Sequence, residues 1–278
     1  MWQNKLSRRE FVKRNSVTGA GAIIAMGITP AIYADFVREA SAPAILGGEP
    51  VRTKPWPDWP IWDPATDEKQ VIEILRSGVW CRAGLERGVV SEFEYKWAQT
   101  LGAKRCLAVV NGTNALIVSL RNLGIGGGDE VIVTPYTFIA TISAIMEVGA
   151  MPVFVDVDPA TFQINPDKIE AKITSGTRAL LPVHILGLPV DIVKIKAIAD
   201  KHKLLLVEDA CQAWLAEVNH QKIGTFGDAG CFSFQNSKHL AIGEGGAIVS
   251  NNEAFIDRCF SYHNCGRAYG KMADQVGG

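Results

Sequence analysis

Charge of one sign is what this chain most plainly lacks. Among its 278 residues, 28 Lys and Arg stand against 29 Asp and Glu, a formal net charge of −1. That balance leaves no electrostatic footing for nucleic acid or for an anionic membrane surface. Paired cysteines are lacking too. The six present (Cys81, Cys106, Cys211, Cys231, Cys259, Cys265) form no CxxC pair and mostly lie in apolar runs. They read as small buried hydrophobes that suit cytoplasmic folding, so neither a disulfide framework nor a metal site is expected. A membrane-length apolar run is missing: the candidate at 17–28 is too short and too rich in glycine to span comfortably. The dinucleotide fingerprint is missing as well. Gly124-Ile125-Gly126-Gly127-Gly128 precedes an apolar strand instead of opening a helix, which argues against an oxidoreductase on that fold.

What is present is a globular composition, 47% hydrophobic and 21% charged, enough for one large domain or one domain and part of another. Ahead of the apolar run at 17–28, Ser7-Arg8-Arg9-Glu10-Phe11-Val12-Lys13 resembles a twin-arginine export signal. Ala40-Ser41-Ala42 offers a small-x-small cleavage site, with Ala34 an earlier alternative. An amphipathic N-terminal helix is the competing reading; with the signal unused, the protein stays cytoplasmic. The chain therefore divides into a signal at 1–42, an extended arm and first helix at 43–82, and a main domain at 83–278. The arm is rich in Pro and carries Trp56, Trp59 and Trp62, which need a surface to pack on.

Apolar periodicity predicts surface helices at 66–77 and 92–102. From Cys106 onward, short apolar runs alternate with helical stretches. Strands are expected at 106–110, 130–134, 153–155, 179–183, 204–207, 230–234 and 246–250, with helices at 113–123, 138–148, 166–173 and 190–201. Seven short strands with helices between most of them predict a mainly parallel sheet covered on both faces. Ligands of such sheets bind beyond the carboxyl ends of the strands, and the residues there carry the chemistry.

The chain is organised around the stretch from Cys231 to Ser250, CFSFQNSKHLAIGEGGAIVS. One lysine, Lys238, is presented between two apolar strands ahead of a glycine turn. It is either a surface lysine in a hairpin loop or the kind of lysine that serves as a Schiff-base nucleophile. Asn111-Gly112-Thr113-Asn114 follows the first strand; glycine permits close approach and a helix N-terminus suits a phosphate, although a plain turn with a Thr N-cap accounts for it equally. Phe138 follows the second strand, to stack on a flat ring or to join the core. His184 lines the site or is structural. Asp209, ending a buried strand, either caps the next segment or faces a cation, because an isolated buried charge is expensive. Ser233 can offer a hydroxyl to an anion. A phosphate nest, a stacking aromatic, an acid for a ring nitrogen and a lysine for an aldehyde together match the needs of pyridoxal phosphate.

The motifs NGTNAL, GGGDEVIVTPYTFIAT, PVFVDVDPATFQINP, LPVHILGLP, VEDACQA and SFQNSKHLAIGEGG, preceded by LGGEPVRTKPWP, occur here in one order. In them the chain resembles the DegT/DnrJ/EryC1/StrS family of pyridoxal-phosphate sugar aminotransferases. The resemblance implies an α/β fold, the type I pyridoxal-phosphate transferase large domain. It implies that Lys238 holds the cofactor as an imine and moves the substrate proton, that Asp209 salt-bridges the pyridinium, and that Gln212 contacts the ring hydroxyl. By the same carry-over Phe138 stacks on the ring and Gly112, Thr113, Asn114 and Ser233 hold the phosphate. Dehydratases of the family carry histidine in place of the lysine; here His239 stands beside Lys238, which favours amino transfer from an amino acid, with glutamate the expected donor, to a keto-sugar or nucleotide-linked keto-sugar in a homodimer with shared sites. Two departures stand out. The chain stops at Gln275-Val276-Gly277-Gly278, where the family continues into a small C-terminal domain, so that a cofactor-binding but catalytically silent form is the alternative. The export signal sits oddly with a cytoplasmic sugar nucleotide.

Overall fold

The computed structural model describes residues 43–82, 88–268 and 270. The expected signal at 1–42 with its cleavage sites, and the C-terminal stretch after Gly270, lie outside the described residues. The chain divides into two compact units, 1–58 and 59–278. In the first, the described residues carry a short 3-10 turn, Ala44–Leu46, and an extended run in which Arg52 donates to the carbonyls of Lys54 and Pro55 and lays its guanidinium over Trp56.

The second unit holds the sheet. Its strands are β1 (Arg105–Val109), β2 (Glu130–Val133), β3 (Met151–Phe154), β4 (Thr177–Leu181), β5 (Leu205–Asp209), a small hairpin of β6 (Glu217–Val218) and β7 (Gln221–Lys222), β8 (Ala229–Ser233) and β9 (Gly246–Ser250). Seven of them form one sheet in the order β1-β9-β8-β5-β4-β2-β3. Every pairing from β8 through β5, β4 and β2 to β3 is parallel, while β9 runs antiparallel to both β1 and β8. The expected seven-stranded, mainly parallel sheet is present.

Alternation along each strand feeds two separate cores, because successive side chains point to opposite faces. Leu107, Val131, Val133, Ala179, Leu181, Val207, Cys231 and Ile248 pack on one face with helices α3 (Gly112–Asn122), α4 (Ile139–Glu147) and α6 (Glu253–His263). Cys106, Ile132, Leu180, Leu206, Phe232 and Val249 pack on the other with α2 (Val89–Leu101) and α5 (Ile192–His202). The helix α1 (Lys69–Ser77) buries none of its residues.

Two elements depart from the sequence expectation. The segment 166–173 forms two 3-10 turns, Pro166–Lys168 and Glu170–Lys172, instead of one helix. Only Ile169 of this stretch is buried, so no apolar stripe exists to repay helix nucleation in so short a run. Helix α6 goes beyond the elements expected. Asn252 caps it by accepting from Phe255 N, and Phe255, Ile256, Cys259 and Phe260 bury its inner face.

Candidate active site

At the carboxyl ends of β5 and β8, against the N-termini of α3 and α4, lies a cavity of about 450 Å³. Its lining includes Gly112, Thr113, Phe138, Asp209, Gln212, Ser233 and Lys238. Seven of the eight residues singled out from the sequence therefore meet in one place. Asn114 does not line the cavity. Its backbone N and Nδ2 both donate to Asn111 Oδ1, at 2.9 and 3.0 Å. Asn111, not Thr113, is thus the N-cap of α3, and Asn114 is spent on completing that cap.

The cap leaves the first two N–H groups of α3, those of Gly112 and Thr113, without a partner among the described residues. They face the cavity together with Ser233 Oγ, and the helix dipole adds positive potential there. Gly112 has a steric reason to be glycine: a Cβ at that position would lie 2.8 Å from both Cys211 Sγ and Ser233 Cβ. The helix end could not approach β8 so closely with any side chain.

Asp209 closes β5 and is only 5% exposed. Its Oδ2 accepts from Thr141 Oγ1 at 2.7 Å and its Oδ1 from Cys211 N at 3.2 Å. Of the two readings left open above, the carboxylate does cap the following turn, and it also fronts the cavity, with no cation partner among the described residues. Its neighbour Glu208 points to the opposite face, where it accepts from the backbone N–H of Gly224, Phe226 and Gly227. There it meets His184, fully buried, whose Nε2 stands 3.3 Å from Glu208 Oε2 but out of line for a hydrogen bond. His184 Nδ1 accepts from Val190 N. This histidine is structural and does not line the cavity.

Gln212 Oε1 accepts from Leu186 N at 2.8 Å, so the amide group left for a ligand is the donor, Nε2. Leu186 takes a left-handed conformation, φ 54° and ψ 20°, to present that N–H. Lys238 rides on a loop pinned at three levels, by Phe234 N to Gly245 O, Ile242 N to Phe234 O and Asn236 N to Gly243 O. Trp59 adds a bond from Nε1 to the Asn236 carbonyl at 2.9 Å, which gives one of the arm's tryptophans its packing partner. Phe138 is 65% exposed at the cavity mouth. It is no core residue, and its ring has no aromatic stacking partner among the described residues.

The sequence reading missed several cavity residues: Thr137, Thr141, Cys211, Gln235, Ser237 and Glu244. Thr137 and Thr141 carried a signal, two hydroxyls at i and i+4 flanking a strand-end aromatic. Cys211 has its thiol held protonated, pushed well above the usual range chiefly by burial and then by the Asp209 charge.

The residues present fit a planar phosphorylated pyridine. Two free N–H groups and a hydroxyl suit its phosphate, an anchored carboxylate its ring nitrogen, an amide donor its phenolic oxygen, an exposed phenyl its face, and an amine its aldehyde. Comparison with known proteins points the same way. The model of the DegT/DnrJ/EryC1/StrS aminotransferase family matches residues 63–277. The chain belongs to this family. Aminotransferases of this family depend on pyridoxal phosphate, and the cavity just described is where this chain would take that cofactor. The L-glutamine:2-deoxy-scyllo-inosose aminotransferase of Streptoalloteichus tenebrarius is 40% identical over 238 residues, covering 84% of this chain and 56% of that protein. An aminotransferase structure from Psychrobacter cryohalolentis superposes with a TM-score of 0.75 at 37% identity, over 81% of this chain and 55% of the other. NtdA from Bacillus subtilis, solved with bound cofactor PMP, gives 0.65 at 35% identity, over 70% and 44%. The chain thus spans about half the length of the relatives it matches.

Proposed function

We propose that the protein is a pyridoxal-phosphate aminotransferase that moves an amino group from glutamine or glutamate to a hydroxylated ring ketone, of the keto-sugar or inosose type. The observation that carries the reading is the convergence of Lys238, Asp209, Ser233 and the free end of α3 on one cavity. The inosose aminotransferase above supports the donor and acceptor classes.

Bound there, pyridoxal phosphate supplies the aldehyde that takes up the amino group and the ring that draws electrons from the carbon losing its proton. The chain's own residues do the rest. The N–H groups of Gly112 and Thr113 and the Ser233 hydroxyl hold the phosphate, and Phe138 covers one face of the ring. Asp209, fixed at both oxygens, would accept from the ring nitrogen. Gln212 Nε2 donates to the ring oxygen. Lys238 Nζ would hold the cofactor's aldehyde and, as a free amine, would serve as the base and acid that moves the substrate's proton.

Incubating the purified full-length protein with pyridoxal phosphate and L-glutamine tests this. The expected result is spectral conversion of the bound cofactor to its amino form, reversed by a ring ketone. No conversion with either amino acid overturns it. A second reading, cofactor binding without turnover, predicts a borohydride-reducible adduct and no conversion. Homodimerisation is part of the proposal, supported by exposed apolar residues beside the cavity, Val110, Phe138, Ile139 and Ile242. A monomeric mass in sedimentation of the holoprotein would count against it. Export through the twin-arginine route is proposed from Arg8 and Arg9; cytoplasmic retention unaffected by Arg8→Lys with Arg9→Lys would refute it.

A further inference from the structure

In the cavity wall runs a short chain of hydroxyls that none of the roles above uses. Thr137 Oγ1 and Thr141 Oγ1 stand 2.8 Å apart, and Thr141 Oγ1 donates to Asp209 Oδ2 at 2.7 Å. The direction of this chain is fixed by proton counting. Thr141 Oγ1 is the donor to Asp209 Oδ2, and a threonine hydroxyl has a single proton to give. The bond between the threonines must then be donated by Thr137. Two aligned hydroxyls ending on a carboxylate polarise one another, and the low dielectric strengthens each bond. Thr141 is 1% exposed, so water does not compete for its hydroxyl.

Placement is equally specific. Thr141 lies in the first turn of α4, where its hydroxyl bonds a residue 68 positions away instead of a nearby carbonyl. Thr137 lies just before that helix and lines the cavity, so the chain begins at the cavity wall and ends on the acid. Cys211 N holds the other Asp209 oxygen, and the two bonds together fix the plane of the carboxylate.

We propose that Thr137 and Thr141 are positioning residues, a hydroxyl relay that orients the Asp209 carboxylate toward the cofactor's ring nitrogen. The inference rests on the reading of Asp209 given under Proposed function, and its test separates the two. The full-length protein is loaded with pyridoxal phosphate carrying nitrogen-15 in the ring, and the ring-nitrogen resonance and the cofactor dissociation constant are measured. Asp209→Asn should move the resonance to the position of unprotonated pyridine. Thr141→Val, which keeps the shape and removes the hydroxyl, should move it part of the way and weaken cofactor binding roughly tenfold, the scale of one hydrogen bond to a charged group. Thr141→Ser should restore both readings, and Thr137→Val should give a smaller change of the same sign. A resonance unmoved by Thr141→Val while Asp209→Asn moves it overturns the relay alone; so does Thr141→Ser behaving like Thr141→Val. A resonance unmoved by Asp209→Asn overturns the relay together with the reading on which it rests. Should Thr141→Val not accumulate folded, Thr137→Val decides, an unmoved resonance again refuting the relay.

Discussion

Replacing Glu208 by glutamine should unsettle the fold and leave the chemistry alone. Glu208 Oε1 accepts from Phe226 N at 2.7 Å and Gly227 N at 2.8 Å, and Oε2 accepts from Gly224 N at 2.9 Å. The side chain is fully buried, and so is His184 beside it. A glutamine can direct its carbonyl at the Phe226 and Gly227 donors, but its NH₂ group then faces the Gly224 N–H and the His184 ring. With His184 Nδ1 accepting from Val190 N, a neutral ring carries its proton on Nε2, so three donors would crowd one dry pocket. Leaving one buried N–H unmet costs about 1–3 kcal/mol, and trading a charged for a neutral acceptor weakens the two surviving bonds. The sum is about 3–5 kcal/mol, the usual range when one member of a buried polar set is lost. For a domain of this size, 1 kcal/mol moves the melting temperature by about 2–4 °C, so a fall of roughly 6–20 °C is expected. Circular dichroism melts of the cofactor-free Glu208→Gln protein would read it, with the exposed Glu147→Gln as control, expected within about 0.5 kcal/mol of the parent. At low temperature the folded variant should still yield a borohydride-reducible adduct. A melting point lowered by less than about 2 °C would refute the reasoning, since the three backbone donors would then not depend on this carboxylate.

Reduction of the holoprotein with borohydride and peptide mapping should place the cofactor on Lys238, and Lys238→Ala should abolish the adduct; mapping to another side chain would sink the proposed function. Gly112→Ala drives a Cβ to 2.8 Å from Ser233 Cβ and Cys211 Sγ, so it should cost about 1–3 kcal/mol of stability and weaken cofactor binding in a fluorescence titration; unchanged binding would show that α3 does not seat the phosphate. Burial raises the thiols of Cys106, Cys211 and Cys231 above their ordinary range and pushes Cys259 up to about 12; Cys211 is half-buried in the cavity wall, whereas Cys81 and Cys265 are exposed. Since only the thiolate reacts, a disulfide reagent at pH 8 should titrate two of the six cysteines quickly in the native protein and all six after denaturation. A third fast thiol would contradict the burial described.

Much of the sheet was legible because each strand is a short apolar run with polar or glycine punctuation, and the parallel arrangement then told where to look. Asp209, Ser233 and Lys238 could be named because they sit at or just after strand ends, where local sequence and site geometry coincide. What stayed hidden depends on contacts between distant segments. The Thr141 to Asp209 bond joins residues 68 apart, and the Glu208 pocket is built from backbone donors 16 to 19 residues downstream. No local pattern announces either. The cap of α3 is hidden for a different reason: a run of Asn-Gly-Thr-Asn offers several capping residues, and only the backbone shows that Asn111 takes the role and Asn114 supports it.

Adjacent carboxylates on β5 show how one strand serves stability and chemistry at once. Alternation sends Leu206 and Glu208 to the face of α2 and α5, and Val207 and Asp209 to the face of α3 and α4. Both acids sit at the strand's end and both are buried, so neither burial nor position distinguishes them. Their partners do. Glu208 meets three backbone N–H groups that have no other acceptor among the described residues, and its carboxylate is spent on holding the loop that carries them. Asp209 meets one hydroxyl and one N–H, which fix its plane while leaving acceptor capacity toward the cavity. On β8 the same alternation sends Ser233 to the Asp209 side, across the paired register Asp209 to Cys231, while Phe232 fills the opposite core. A slip of one residue in the β5–β8 pairing would aim the wrong acid at the cavity and bury the right one under the loop. The register of these two central strands, held by parallel ladders on one side and by β9 on the other, is therefore what selects which carboxylate is free to do chemistry.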